Sequence, residues 1–362
     1  MNVGVDIASR EGAARRAVDL FSGSGAVTAA LTRNDYEVVV AIDNDPVACR
    51  TYAANHKDVL LLREDIVEVD PTTHEAFTAI GHIDLLVVCA PCQPFSSQNR
   101  RRGEHDHRAS LLLEAVKFAR ALQPRCILFE NVPGLASPAN LAILERLREE
   151  LLEAGYTLSE PRRIDAGDLG VPQRRIRCVM VAAPDAATAA NFAIQVLPSA
   201  RTTVRDAIGD LRPLENGARD LCDPLHYARA HRDVVLRRLE CIPADGGSRS
   251  SLPAELELVC HRGRPTSFSD VYGRMVWDGV APTLTTGCTD LTRGRFAHPA
   301  QDRAITLREA ALLQTFPPDY RFEGTKSQIA RQIGNAVPVG MVEALLPVID
   351  AMISEGVPPH GA

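Results

Sequence analysis

Through the first half of the chain, short unbroken apolar runs alternate with stretches in which apolar positions recur every three or four residues. An unbroken run fits a strand buried on both faces, and the three-to-four spacing fits a helix that packs on one side. By that reading residues 17–21, 37–42, 83–89, 125–129 and 178–182 are strands. Residues 26–32, 46–56, 111–122 and 141–154 are helices, with a further apolar stretch at 59–62. Asp45 is placed to cap the second helix, Pro46 suits its first turn, and Gly155 closes the fourth. The alternation predicts an α/β fold built on a doubly wound, mostly parallel, Rossmann-like sheet.

The pattern changes near residue 191. From there to about 320, proline and glycine are frequent and periodicity is weak, which predicts a second, smaller, irregular domain. Helical spacing returns at 305–313 and again at 338–353. The expected division is 1–190, 191–322, and a C-terminal segment, 323–362, that rejoins the first domain.

The 362 residues are 45% apolar and 24% charged, as in ordinary globular proteins. No apolar run reaches the roughly 18 residues of a membrane span, and residues 1–16 lack a signal-peptide pattern, so no membrane association and a cytoplasmic location are expected. The net charge is −6, and residues 1–100 alone carry 8 basic and 14 acidic side chains, which also gives −6. The remainder is near neutral and rich in arginine, so charge permits a nucleic-acid partner without arguing for one. Nine cysteines at irregular spacings do not read as a disulfide framework. Cys49, Cys126 and Cys178 sit in apolar surroundings and read as core thiols.

Two segments carry candidate chemistry. The first strand runs into Ser22-Gly23-Ser24-Gly25 and then a helix, which presents backbone N–H groups to a ligand. Asp43, at the end of the next strand, is placed to accept from ribose hydroxyls, and Asp65 from an adenine amino group. The glycine pattern is shorter than the dinucleotide fingerprint, which favours an adenosyl ligand over NAD. The second segment is Ala90-Pro91-Cys92-Gln93-Pro94-Phe95-Ser96, just past an apolar strand, where ligands of such sheets bind. Two prolines stiffen the turn around Cys92. Cys89 and Cys92 also form a C-x-x-C, which leaves a thiol oxidoreductase as an alternative; no second cysteine pair completes a zinc site, and no metal is expected.

These segments resemble the DNA (cytosine-5)-methyltransferases, and the likeness runs from about residue 17 to 339. Asp19-Leu20-Phe21-Ser22-Gly23-Ser24-Gly25 is similar to the family's cofactor turn, and Pro91-Cys92-Gln93-Pro94 to its nucleophile motif. Glu130-Asn131-Val132 resembles its acid motif, and Gln173-Arg174-Arg175-Ile176-Arg177 its Q-x-R-x-R segment. Residues 308–317 resemble a helix bordering the recognition domain, and Gly334-Asn335-Ala336-Val337-Pro338 the last motif. Three positions depart from the common pattern: Cys89 and Ala90 in place of glycine and proline, Asp43 in place of glutamate, and Asn99 in place of a loop glycine.

The resemblance implies a methyltransferase sheet with a target-recognition domain, S-adenosylmethionine as methyl donor, and double-stranded DNA as substrate, with a cognate restriction endonuclease as possible companion. It implies Cys92 as nucleophile, Glu130 at cytosine N3, Arg177 at O2, and Arg175 in support. It places Phe21, Gly23, Ser24, Gly25, Asp43, Asn44, Asp65, Ile66, Pro91, Asn335 and Ala336 around the cofactor. Ser96, then Arg100, Arg101 and Arg108 in a loop, residues 97–110, that shuts on DNA, and the pair Thr283-Leu284 are implied at DNA; apart from the resemblance, Arg274, Arg293 and Arg295 are candidates for guanine edges by residue type. A transfer-RNA cytosine methyltransferase is the alternative within the family; the long segment between residues 182 and 315 favours DNA.

Overall fold

Every residue of two central strands, Leu85–Val88 and Cys126–Asn131, is buried. Only a strand covered on both faces needs that many consecutive apolar side chains. The computed structural model describes residues 14–91, 107–195, 199–261 and 268–355. In chain order the strands are β1 (Arg15–Leu20), β2 (Tyr36–Ile42), β3 (Leu60–Leu62), β4 (Leu85–Val88), β5 (Cys126–Asn131), β6 (Thr157–Leu158), β7 (Arg162–Asp165) and β8 (Ile176–Ala183). They form one sheet in the order β3-β2-β1-β4-β5-β8-β6, with β7 also paired to β8. Pairing is parallel from β3 to β5, and β8 runs antiparallel to β5, β6 and β7.

The helices are α1 (Ala26–Thr32), α2 (Pro46–Asn55), α3 (Glu75–Thr78), α4 (His107–Leu122), α5 (Leu141–Glu153), α6 (Ala186–Gln195), α7 (Val204–Ile208), α8 (Asp233–Glu240), α9 (Leu307–Leu313), α10 (Lys326–Asn335) and α11 (Val339–Glu355). The side chains of the sheet alternate between two cores, as strand geometry requires. Ala17, Leu85, Val87 and Leu128 face a core shared with α1, α9 and α11, whereas Val18, Leu86, Val88 and Ile127 face one shared with α4 and α5. The strand order reverses between β1 and β4, and ligands of such sheets bind in the crevice beyond the carboxyl ends of strands at that reversal.

By length and composition alone, residues 326–354 pass as a stretch long and apolar enough to cross a membrane, a test that the core helix of a globular protein also passes. Little more than half of the span's most apolar window is buried. The span is two helices divided at Ala336-Val337-Pro338, and α11 packs against α1 and α6.

Between α6 and α9 the described backbone has short helices and isolated bridges in place of a ladder. Buried arginines take up its carbonyls instead. Arg274 is 2% exposed and donates to the carbonyls of Leu239, Ile242, His298 and Gln301, and it also pairs with Asp302. Arg303, 1% exposed, makes a two-pronged pair with Glu309 (2.8 and 2.6 Å). Glu309 in turn closes the capping box of α9 with Thr306. Arg303→Met takes the guanidinium from that buried carboxylate and leaves it the Thr306 amide and the His298 ring at 3.8 Å, so we expect a loss of about 3–5 kcal/mol, measured by denaturant unfolding.

Candidate active site

β1 ends at Leu20, and the chain turns through left-handed backbone at Phe21 (φ 60°), Gly23 (φ 55°) and Gly25 (φ 90°). A side chain at 25 is excluded twice over: a Cβ there would stand 2.6 Å from the His56 ring and 2.7 Å from Tyr320 Oη. Those two groups brace the turn. Tyr320 Oη donates to the Ser24 carbonyl (2.5 Å) and lies 2.9 Å from His56 Nε2. Burial pushes the His56 pKa down to about 4, so the brace is uncharged at neutral pH. Asp43 ties the turn to the next element, accepting from the Gly23 amide and the Asp45 amide, both at 2.8 Å. Asp45 then caps α2 through the amides of Val47 and Ala48.

These groups surround a cavity of about 300 Å³. Phe21, Gly23, Ser24, Asp43, Asn44, Asp65, Ile66, Pro91, Asn335 and Ala336 all line it. Gly25 does not, because it faces His56. Asn44 Nδ2 donates to Asp65 (3.1 Å), and Lys117 Nζ on α4 holds the Ile66 carbonyl (2.7 Å), which fixes the loop after β3.

Glu130 lines the same cavity. Its position follows from strand register. Glu130 of β5 pairs with Val179 of β8, so Arg177, two residues along, stands diagonal to it on the same face. Arg177 Nε lies 2.7 Å from Glu130 Oε1, with both side chains nearly buried. The approach is close but unaligned, and Oε1 has no hydrogen-bond donor pointing at it among the described residues. Burial raises the Glu130 pKa, against the opposing pull of Arg177 and Arg175. Asn131, 1% exposed, donates to the Ala90 carbonyl (3.1 Å) and so ties the end of β5 to the turn that leads to position 92.

Arg175 acts one layer back. It is 2% exposed and donates to the carbonyls of Leu284 and Gly334, both at 2.9 Å. Gln173 accepts from the Leu284 amide (2.9 Å) and donates to Gln314 (2.8 Å), which donates to the Ile333 carbonyl (2.6 Å). This buried clasp joins four segments distant in sequence. Its tightest approach is at Gly334, where a Cβ would meet the Thr285 backbone at 2.4 Å.

Asp19, which carried no assigned role in the sequence, is fully buried and accepts from Thr28 Oγ1 (2.8 Å). Burial pushes its pKa up to about 7. A group whose folded pKa exceeds its unfolded value, near 3.8, adds stability below that value and loses it as pH rises through the folded pKa. Wild-type stability relative to Asp19→Asn should therefore fall between about pH 4 and pH 7, by an amount on the order of 4 kcal/mol. Paired urea titrations across that range would show it, and parallel curves would contradict it.

Residues 15–351 match the family model for C-5 cytosine-specific DNA methylases. The chain belongs to that family. A Type II methylase, M.HgiDII of Herpetosiphon aurantiacus, is 38% identical over 335 residues, covering 90% of this chain and 92% of that one. The Type II methyltransferase M.XorII of Xanthomonas oryzae is 30% identical, covering 91% and 82%. Among solved structures, a DNA modification methyltransferase encoded within an E. coli prophage superposes with a TM-score of 0.70 at 24% identity, covering 94% and 100%.

The DNA-facing residues expected of this methylase fare unevenly. Cys92, Ser96, Arg100 and Arg101 lie outside the described residues, as does the side chain of Arg108 at the start of α4. Thr283 is exposed, and its hydroxyl donates to the Arg174 carbonyl (2.7 Å). Leu284 corrects the expectation: it is 1% exposed, its side chain belongs to the core, and its backbone is held by Gln173 and Arg175. Arg274 is likewise consumed by internal carbonyls, and Arg295 binds Asp270 and the carbonyls of Gly246 and Gly247. Arg293 remains exposed. Cys49, Cys126 and Cys178 are buried, with thiol pKa values pushed up to about 11, 12 and 11 by desolvation, as core thiols should be. Cys89 is half-buried and borders the cavity.

Proposed function

We propose that this methylase transfers a methyl group from S-adenosylmethionine to carbon 5 of cytosine within a specific duplex DNA sequence, with Cys92 as nucleophile. The observation that carries the reading is Glu130, which lines the cavity built on the glycine turn and has Arg177 Nε 2.7 Å from its carboxylate.

The donor set of the cavity suits an adenosyl ligand: an aromatic at Phe21, carboxylates at Asp43 and Asp65, and the turn of Gly23 and Ser24. When bound, S-adenosylmethionine supplies an electrophilic methyl on a sulfonium. Asp43 is already fixed by two amides and keeps lone pairs for ribose hydroxyls.

Cytosine C5 is a weak nucleophile. Addition of the Cys92 thiolate to C6 makes C5 electron-rich, so that C5 can take the methyl as the bond from sulfur to that methyl breaks and its electron pair stays on sulfur. The addition itself sends charge toward N3 and O2, before the methyl moves. Glu130, its pKa raised by burial, holds a proton for N3, and Arg177 places a cation at O2. Loss of the C5 proton and expulsion of the thiolate restore the ring. The target base must leave the duplex first, at a cost of a few kcal/mol. Residues 191–322 are assigned to sequence recognition, and 323–362 to the return into the catalytic domain. A restriction endonuclease of the same specificity is the expected companion, in keeping with relatives named as Type II enzymes.

Incubation of purified protein and labelled S-adenosylmethionine with duplex DNA and transfer RNA in parallel tests the substrate. Label in 5-methylcytosine of DNA alone is expected, and label confined to RNA would refute the reading.

A further inference from the structure

A second cleft, of about 980 Å³, lies against α10. Lys326, Ser327 and Ala330 of that helix line it, whereas Arg331, Gln332 and Asn335 line the cofactor cavity, so the two occupy roughly opposite faces of one helix. Its remaining walls come from residues 217–230 and 286–293, the latter just beyond the exposed Thr283.

Charge sets this cleft apart. Four cations, Arg219, Arg229, Arg293 and Lys326, face two carboxylates, Asp220 and Asp290, for +2 in a chain whose total is −6. All four cations are exposed. Two of them are also held in place. The stem of Arg293 lies across the bare backbone of Gly287, where a Cβ would stand 2.2 Å from Arg293 Cδ. Lys326 Nζ sits 3.3 Å over the ring of Tyr227. A small anion would call for buried, convergent donors. Exposed cations along an open cleft suit a polyanion whose charges are spread along its length.

We infer that this cleft seats the sugar–phosphate backbone of duplex DNA beside the target base, with Arg293 and Lys326 as phosphate contacts. The inference rests on the DNA reading above and assigns a surface to it. Such contacts position the duplex without reading its sequence.

The test is the affinity of Arg293→Gln and Lys326→Met for a target duplex and an unrelated duplex, measured from about 50 to 200 mM NaCl, where counterion release dominates. Each substitution should lower the slope of log Kd against log salt by about 0.9 and weaken both duplexes alike. Arg293→Lys, which keeps the charge, should keep the slope, and so should Arg146→Gln on α5, remote from the cleft. The KM for S-adenosylmethionine should not move. If the wild type methylates duplex DNA and neither substitution alters the slope, the cleft assignment falls and the DNA reading stands. A folded wild type that neither binds nor methylates a duplex overturns both. Melting curves identify any variant that fails to fold, and the other charge-removing substitution then carries the comparison.

Discussion

Replacing Glu130 by glutamine should slow methyl transfer by about 10²–10⁴-fold, the range for losing a positioned general acid. The amide keeps the size and shape of the carboxylate beside Arg177, whose Nε lies 2.7 Å from Glu130 Oε1. What it cannot do is deliver a proton to N3. The pH profile separates this from a packing defect. Desolvation raises the Glu130 pKa, so its acid form persists to higher pH than in an exposed glutamate, and the wild-type rate should fall as pH rises through that raised value. Thiolate formation at Cys92 should act in the opposite sense and give the rising limb. The glutamine variant should lose the falling limb and keep the rising one. Single-turnover rates across pH would show this, with melting temperature as the control.

The second large effect is expected at Arg175. Arg175→Met removes two charge-assisted hydrogen bonds to buried carbonyls, each worth about 1.5–3 kcal/mol, and should cost on the order of 3 kcal/mol or more in urea unfolding. Its kinetic signature should differ from that of Glu130. Arg175 grips Leu284, next to the exposed Thr283, and Gly334, next to Asn335 of the cavity proposed for the methyl donor. Loosening both should raise KM for DNA and for S-adenosylmethionine together, with a smaller change in kcat. Arg175→Lys should recover less than half of the stability, because a single ammonium does not reproduce the planar fork that spans both carbonyls. Unchanged KM values in a folded Arg175→Met protein would make the clasp purely structural.

The central strands were legible because burial on both faces leaves unbroken apolar runs, and Leu85–Val88 and Cys126–Asn131 fall within a residue or two of their predicted limits. The short strands Thr157–Leu158 and Arg162–Asp165 were not. The first is too short to show a period, and the second, at Arg162 and Arg163, carries charge at the sheet margin. Helix α10 was missed for a related reason. Its sequence, Lys326–Asn335, is mostly polar outside Ile329, Ala330 and Ile333, and it stays in place through a capping box and its contact with α9. That the glycine turn, Asp43 and Asp65 would surround one cavity could be read closely, since a strand, a glycine turn and a carboxylate lie in one local order. The clasp could not, because Gln173, Leu284, Gln314 and Gly334 meet only in three dimensions. The same limit explains Arg274: in sequence it is one more arginine in an arginine-rich stretch, and only the fold shows five internal acceptors around it.

Base-resolution bisulfite sequencing of host DNA, after expression of the wild type and of Cys92→Ser, tests the central claim most directly. Protected cytosines confined to one short sequence are expected with the wild type, and none with the serine variant. Protection that survives in the serine variant, or its absence with a folded wild-type protein, would contradict the assignment of residue 92 as the group that attacks the base.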